Sequence, residues 1–112
     1  MPGALNNFKT TLANVTTTTA NVYTPPAGYA TVVLMAQVSN SGNATIQISA
    51  NVVRSGNSYS LINSASVPTG DAISVLTGRL ILNVGDVIQF KSSDNTSGQL
   101  VLSYLETLVT SG

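Results

Sequence analysis

Few side chains in this 112-residue chain could do acid–base or nucleophilic chemistry. His, Cys and Trp are absent, which excludes imidazole and thiolate metal sites, disulfides, and catalysis by His or Cys. The carboxylates are Asp71, Asp86, Asp94 and Glu106. Asp71 and Asp86 each follow a turn glycine, where an aspartate commonly caps the backbone with its own side chain. A glycosidase needs two carboxylates in a cleft lined with aromatics, and aromatics make up 5% of this chain. Ser93-Asp94-Asn95 matches one β-lactamase element, but neither a Ser-x-x-Lys nucleophile nor a Lys-Thr-Gly partner accompanies it. Asp94-Asn95-Thr96-Ser97-Gly98 puts oxygen ligands on alternate residues, yet it lacks the further acids and closing Glu of a calcium loop. It reads as a solvated turn. There is no glycine-rich phosphate loop and no aromatic platform flanked by Arg or Lys. The expectation is a protein that is not an enzyme and has no catalytic, cofactor-binding or metal residues and no cofactor.

Charge points the same way. Charged residues are 7% of the chain and the formal net charge is zero, against roughly 25% charged in an ordinary soluble domain. No basic surface exists to gather nucleic acid or anionic lipid, so neither is an expected partner. The polar complement is instead 11 Asn, 14 Ser and 14 Thr. Hydroxyls and amides solvate a surface without repelling other copies, so self-association is expected. The longest mostly apolar stretch, residues 30–38, is far short of the roughly 20 residues a helix needs to span a bilayer. The start, Met1 to Asn7, carries neither a cationic segment nor an apolar one, which predicts a chain made and kept in a cytoplasm.

Whatever surface does the work must be positioned by strands. An apolar fraction of 43% is enough for a core. Residues 1–11 read as an N-terminal arm or edge strand, and residues 12–112 as one domain. Thr16 to Thr19 favour extended backbone, and Pro25-Pro26-Ala27-Gly28 is a turn. Ala30, Val32, Leu34, Ala36 and Val38 alternate with Thr31, Val33, Met35 and Gln37. Ala44, Ile46, Ile48, Ala50 and Val52 alternate with Thr45, Gln47, Ser49 and Asn51. Both are period-two patterns with one buried face. Parity and Gly42 predict a hairpin across Asn40-Ser41-Gly42, with Ser39 opposite Asn43, Ala36 opposite Ile46 and Leu34 opposite Ile48. Further strands are expected at 58–62, 73–76, 80–84 with Leu80, Leu82 and Val84 on one face, around Ile88 and Phe90, and at 100–109. The last is apolar on both faces, which suits a central strand buried on both sides or a strand at a subunit interface. About eight short strands with Gly and Pro turns predict an all-β chain, a single antiparallel β-sandwich or jelly roll.

The order of several segments carries a resemblance. Tyr23-Thr24-Pro25-Pro26-Ala27-Gly28 leads into the apolar strand, Leu82-Asn83-Val84-Gly85-Asp86-Val87-Ile88 follows, and Ser103-Tyr104-Leu105-Glu106 comes near the end. Over roughly residues 20–107 this resembles small virion structural proteins of tailed bacteriophages, though Pro26 stands where an apolar residue is more usual. The resemblance implies a capsid decoration or cement protein that binds and stabilises the major capsid shell and resides in the virion. Its partners would be the major capsid protein, other virion proteins and itself, as a homo-oligomer with a trimer among the allowed forms. Apolar side chains near the arm and first turn, Leu5, Phe8, Tyr23 and Tyr29, are the candidate interface residues. The alternatives are a tail, baseplate or fibre component, and a jelly-roll carbohydrate-binding (receptor-binding) module.

Overall fold

Alternation and β-branching leave no room for a helix. In the computed structural model, which describes residues 6–76 and 78–109, every regular element is a strand. They are β1 (Asn6–Val15), β2 (Ala20–Tyr23), β3 (Tyr29–Asn40), β4 (Ile46–Arg54), β5 (Asn57–Val67), β6 (Ala72–Ser74), β7 (Leu80–Leu82), β8 (Val87–Ser92) and β9 (Gly98–Leu108). One sheet runs β1-β9-β3, with β6 and β7 both on the far edge of β3. The other runs β2-β8-β4-β5. The antiparallel pairs are nested: β4 with β5, β3 with β6 and β7, β2 with β8, β1 with β9. A ribbon of nested pairs wound into two facing sheets is a jelly roll.

Between the sheets lie Val33, Ala36, Val38, Leu82, Leu100, Leu102 and Tyr104 from the first, and Ile46, Ile48, Ala50, Val52, Val67, Ile88 and Phe90 from the second. The β4–β5 connection is a two-residue turn, Ser55-Gly56, with φ of 54° and 79°. Positive φ at both positions is what a tight hairpin between right-twisted strands requires.

The hairpin expected between residues 30–38 and 44–52 does not form. β3 and β4 belong to opposite sheets, and residues 41–45 arch from one to the other. Ala36 and Val38 meet Ile46 and Ile48 as facing layers of the core instead of as neighbours in one sheet. Parity alone cannot separate these arrangements, because both bury the same residues. Gly42 is correspondingly not left-handed. It is needed because a Cβ there would stand 2.9 Å from Ser97 Cβ.

The even-numbered face of β3 is also interrupted. A register shift between Val33 and Met35 leaves Thr31 and Val33 inside before it and Ala36, Val38 and Asn40 inside after it. Leu34 and Met35 are 40% and 37% exposed at that bulge. Val84 is exposed as well, since the chain turns at Asn83 and does not continue the face of Leu80 and Leu82.

The segment expected as an arm or edge strand over residues 1–11 contributes Asn6 onward to β1, which continues unbroken to Val15. β9 is central, flanked by β1 and β3, with Leu100, Leu102 and Tyr104 buried and Val101 and Leu105 half-buried on the outer face.

Candidate functional site

Two buried carboxylates come first, because they are the groups capable of chemistry. Glu106 sits on the inner side of β9 and is 3% exposed. Its Oε1 is 2.8 Å from Lys9 Nζ of β1, and its Oε2 accepts the Tyr23 hydroxyl of β2 at 2.6 Å. Tyr23 therefore crosses the sandwich. Its hydroxyl also lies 2.7 Å from Thr31 Oγ1, and its ring packs on Tyr104 with centroids 4.3 Å apart. The Tyr104 hydroxyl in turn meets Thr11 Oγ1 at 2.9 Å. Burial pushes the Glu106 carboxyl up, but the hydrogen bonds from Lys9 and Tyr23 and the Lys9 charge outweigh it and hold it below the usual range. Burial, reinforced by the bond to Glu106, pushes the Tyr23 phenol up.

Asp86 occupies the turn before β8. Gly85 has a φ of 92°, and Asp86 N–H donates to Asn83 C=O at 2.9 Å, closing the turn. The carboxylate faces inward, where Arg54 Nε donates to Oδ1 at 2.9 Å and its terminal nitrogen to Oδ2 at 2.6 Å. Asn83 N–H donates to Oδ2 at 2.7 Å. Arg54 hydrogen bonding lowers the Asp86 pKa, burial opposes this, and the Asn83 N–H and the Arg54 charge add to the lowering. The cap expected of Asp86 is present, and Arg54 adds a bridge from the β4–β5 turn. Nothing about residue 54 in the sequence names residue 86 as its partner.

Each carboxylate has both oxygens hydrogen-bonded and one cation beside it. Asp71 accepts from the Ala72 N–H, and Asp94 accepts from the Ser97 hydroxyl. Among the described residues, no group of three or more His, Cys, Asp or Glu comes together to hold a metal.

The surface that stands out is the outer face of the β1-β9-β3 sheet. One cross-strand row runs Phe8, Leu105, Val32, Ile81 over β1, β9, β3 and β7. The next rows are Thr10, Ser103, Met35, then Leu12, Val101, Gln37, and the end row is Asn14, Gln99, Ser39. No charged side chain belongs to these rows. Phe8, Leu12 and Ile81 are 76%, 72% and 58% exposed. The outer face of the other sheet is different in kind: an amide ladder links Asn21, Gln89, Asn51 and Ser58 at 2.6–2.9 Å.

No protein-family model matches the chain, and no curated protein matches it in sequence. Solved structures do resemble it. A structure described as "Bacillus endospore appendages form a novel family of disulfide-linked pili" is 9% identical, covers 94% of this chain and 88% of its own, and has a TM-score of 0.54. The nucleoplasmin-like N-terminal domain of Drosophila FKBP39 is 15% identical, covers 100% and 99%, and has a TM-score of 0.52. The likeness is one of fold.

Of the residues expected at an interface, Phe8 presents an open ring on the apolar row. Tyr23 is turned inward and its hydroxyl is occupied, Tyr29 is half-buried at the start of β3, and Leu5 lies outside the described residues. Sequence reasoning missed Leu12, Val32 and Ile81 on the open face. Leu12 carried a usable signal, since Phe8, Thr10 and Leu12 share one parity. A hollow of about 340 Å³ between Val52, Tyr59, Leu61, Leu80 and Ile81 at one sandwich edge is apolar, and its cation, Arg54, is already committed to Asp86.

Proposed function

We propose that this chain is a non-enzymatic structural subunit that works by packing against other protein, and that its specific role is to decorate and stabilise the capsid shell of a tailed bacteriophage. The observation that carries the reading is the outer face of the β1-β9-β3 sheet, whose rows hold no charge and whose exposed and half-buried apolar side chains span four strands. Apolar side chains left open over such an area stabilise whatever contact covers them, at about 25 cal/mol per Å² of apolar surface removed from water. The order of the Tyr23–Gly28, Leu82–Ile88 and Ser103–Glu106 segments supplies the phage assignment. A decoration protein acts by mass action: binding only the assembled shell, it shifts the equilibrium away from disassembly.

The test is binding of the purified chain to empty expanded capsids, with copies counted per particle. Hundreds of copies, and a shell that resists heat better with them than without, are the expected results. A few to a dozen copies would place the chain in the neck or tail. Absence of shell binding together with glycan binding on an array would falsify the decoration role.

A further inference from the structure

We infer that the free edge of β1 pairs antiparallel with β1 of a second copy, across a two-fold axis at Thr10. The inference deepens the structural-subunit reading and rests on it. The outward residues of β1 are Asn6, Phe8, Thr10, Leu12 and Asn14. Read in either direction they run amide, large apolar, hydroxyl, large apolar, amide. An antiparallel partner presents the same series reversed, so with Thr10 on the axis Phe8 stands opposite Leu12 of the second copy. Asn6 then stands opposite Asn14, and Lys9 opposite Thr11, so the ammoniums do not face each other. Opposed apolar pairs and amide pairs each favour the register.

The edge is open for this. Natural edges are blunted by charge, proline, bulges or brevity. Among the described edge strands, β2 has four residues and a register shift, β5 has register shifts and Ser64 at φ 54°, and β6 and β7 have three residues each. β1 has ten residues in unbroken register with β9 and no proline. Lys9 is its one charge, and Glu106 draws that ammonium to the inner side of the sheet. Pairing also joins the apolar rows: Ile81, Val32, Leu105 and Phe8 of one copy continue into Leu12 and Val101 of the other. The palindromic series selects a second copy as the occupant: an antiparallel copy of β1 meets this edge with a matching residue class at every outward position, and Lys9 does not stand opposite its own copy.

The chain has no cysteine, so single introduced cysteines report the register directly. Opposed residues in an antiparallel pair have Cα atoms about 4.5–5.5 Å apart, within disulfide range. Under mild oxidation of the full chain, T10C is expected to form a covalent dimer and N14C, at equal concentration, is not. A mixture of F8C and L12C is expected to cross-link to each other in excess of either with itself. F8K is expected to weaken the dimer by about tenfold, and adding L12E to F8K to restore it by placing opposite charges across the junction. All four positions are exposed or at the surface edge, and circular dichroism checks that each variant keeps the fold. Absence of T10C dimers, equal cross-linking of N14C, or a dimer untouched by F8K overturns the pairing. Shell binding without these cross-links removes the pairing alone. The cross-links without shell binding remove the decoration role and leave the pairing standing.

Discussion

The two ends of the sandwich solve one problem with different chemistry. Each must seal the gap between sheets where the chain crosses over, and each has buried polar groups to satisfy. The end carrying the β2–β3, β4–β5 and β7–β8 turns uses charge: Lys9 with Glu106, and Arg54 with Asp86. The end carrying the β1–β2, β3–β4, β5–β6 and β8–β9 turns has no ion pair among the described residues and relies on amides, beside Asp94, which the Ser97 hydroxyl holds. There Asn40, 2% exposed, donates from Nδ2 to Ala44 C=O at 2.7 Å and Val67 C=O at 2.9 Å and accepts from Gly42 N–H at 2.9 Å. Asn95 accepts from Thr17 at the same end, through backbone and hydroxyl. An amide that matches two carbonyls and one N–H has no charge to desolvate. A buried carboxylate must keep its cation to stay favourable. The Asn40 and Asn95 contacts should therefore be indifferent to pH, and the two ion pairs should not.

The largest effect is expected from forcing charge onto the amide that anchors the end without ion pairs. Asn40→Asp keeps the shape but turns a donor toward two carbonyls into an acceptor. At neutral pH the loss should be about 3–5 kcal/mol in a urea titration. Two carbonyls and burial would raise the new carboxyl's pKa, so its cost is greatest above that pKa and recovers as acid protonates it. A penalty equal at pH 4 and pH 8 would show that the amide's donors are not what hold this end.

Next comes removal of the buried acid at the charged end. Glu106→Ala leaves the Tyr23 hydroxyl with Thr31 alone and opens a void, with an expected cost of about 2–3 kcal/mol. The wild-type pH profile follows from the same group, from Asp86 and from Asp94, whose carboxyl the Ser97 hydroxyl draws down. All three folded pKa values are depressed below their ordinary 4.5 for Glu106 and 3.8 for the aspartates. Their contribution is fully present above those values and is lost as pH falls through the folded ones. Stability should be level through neutral pH and drop below about pH 4. Glu106→Gln with Asp86→Asn should make that drop shallower, leaving the share of Asp94; a profile as steep as wild type would assign it to other groups.

A smaller effect is expected at Gly42. An alanine there meets Ser97, whose hydroxyl holds Asp94, so the β3–β4 arch and the β8–β9 loop must move together. Gly42→Ala should cost about 1–2 kcal/mol in a urea melt. A neutral or stabilising result would mean the arch yields freely.

Much of the architecture was legible because alternation reports burial. Ile46, Ile48, Ala50 and Val52 announce a half-buried strand, and Gly and Pro mark the turns between strands. What alternation cannot report is which strand lies beside which. Ala36 and Ile46 have the right parity to be hairpin neighbours or to face each other across a core, and Asn40 decides between these by anchoring an arch with its side chain. The bulge after Val33 was hidden for a related reason, since Leu34 and Met35 are apolar yet both point outward. The candidate surface was half legible. Phe8 could be singled out near the chain start, but the row it belongs to is assembled from β1, β9, β3 and β7, far apart in sequence. Glu106 and Asp86 looked like isolated acids because their cations come from β1 and β4.

The smallest stability effect joins the charged end to the β1 edge. Lys9 is half-exposed, and Glu106 raises its pKa first through the hydrogen bond and then through its charge. Lys9→Met leaves Glu106 with Tyr23 as its hydrogen-bond donor, so burial is free to push the carboxyl back up. The folded and unfolded pKa values of Glu106 then approach each other, and the acid-induced loss that depends on their gap shrinks. The variant should be less stable than wild type at pH 7, and the gap should close as the pH falls through the folded pKa of Glu106 and the carboxyl is protonated in both. A penalty that does not shrink in acid would mean that the lysine stem packs there and its charge is idle. The same substitution removes the one charge on β1, but that ammonium is already drawn to the inner side of the sheet, so the monomer–dimer balance in sedimentation should stay close to wild type. A variant that loses the pH-dependent stability and also shifts that balance would show that the Lys9 charge reaches the edge.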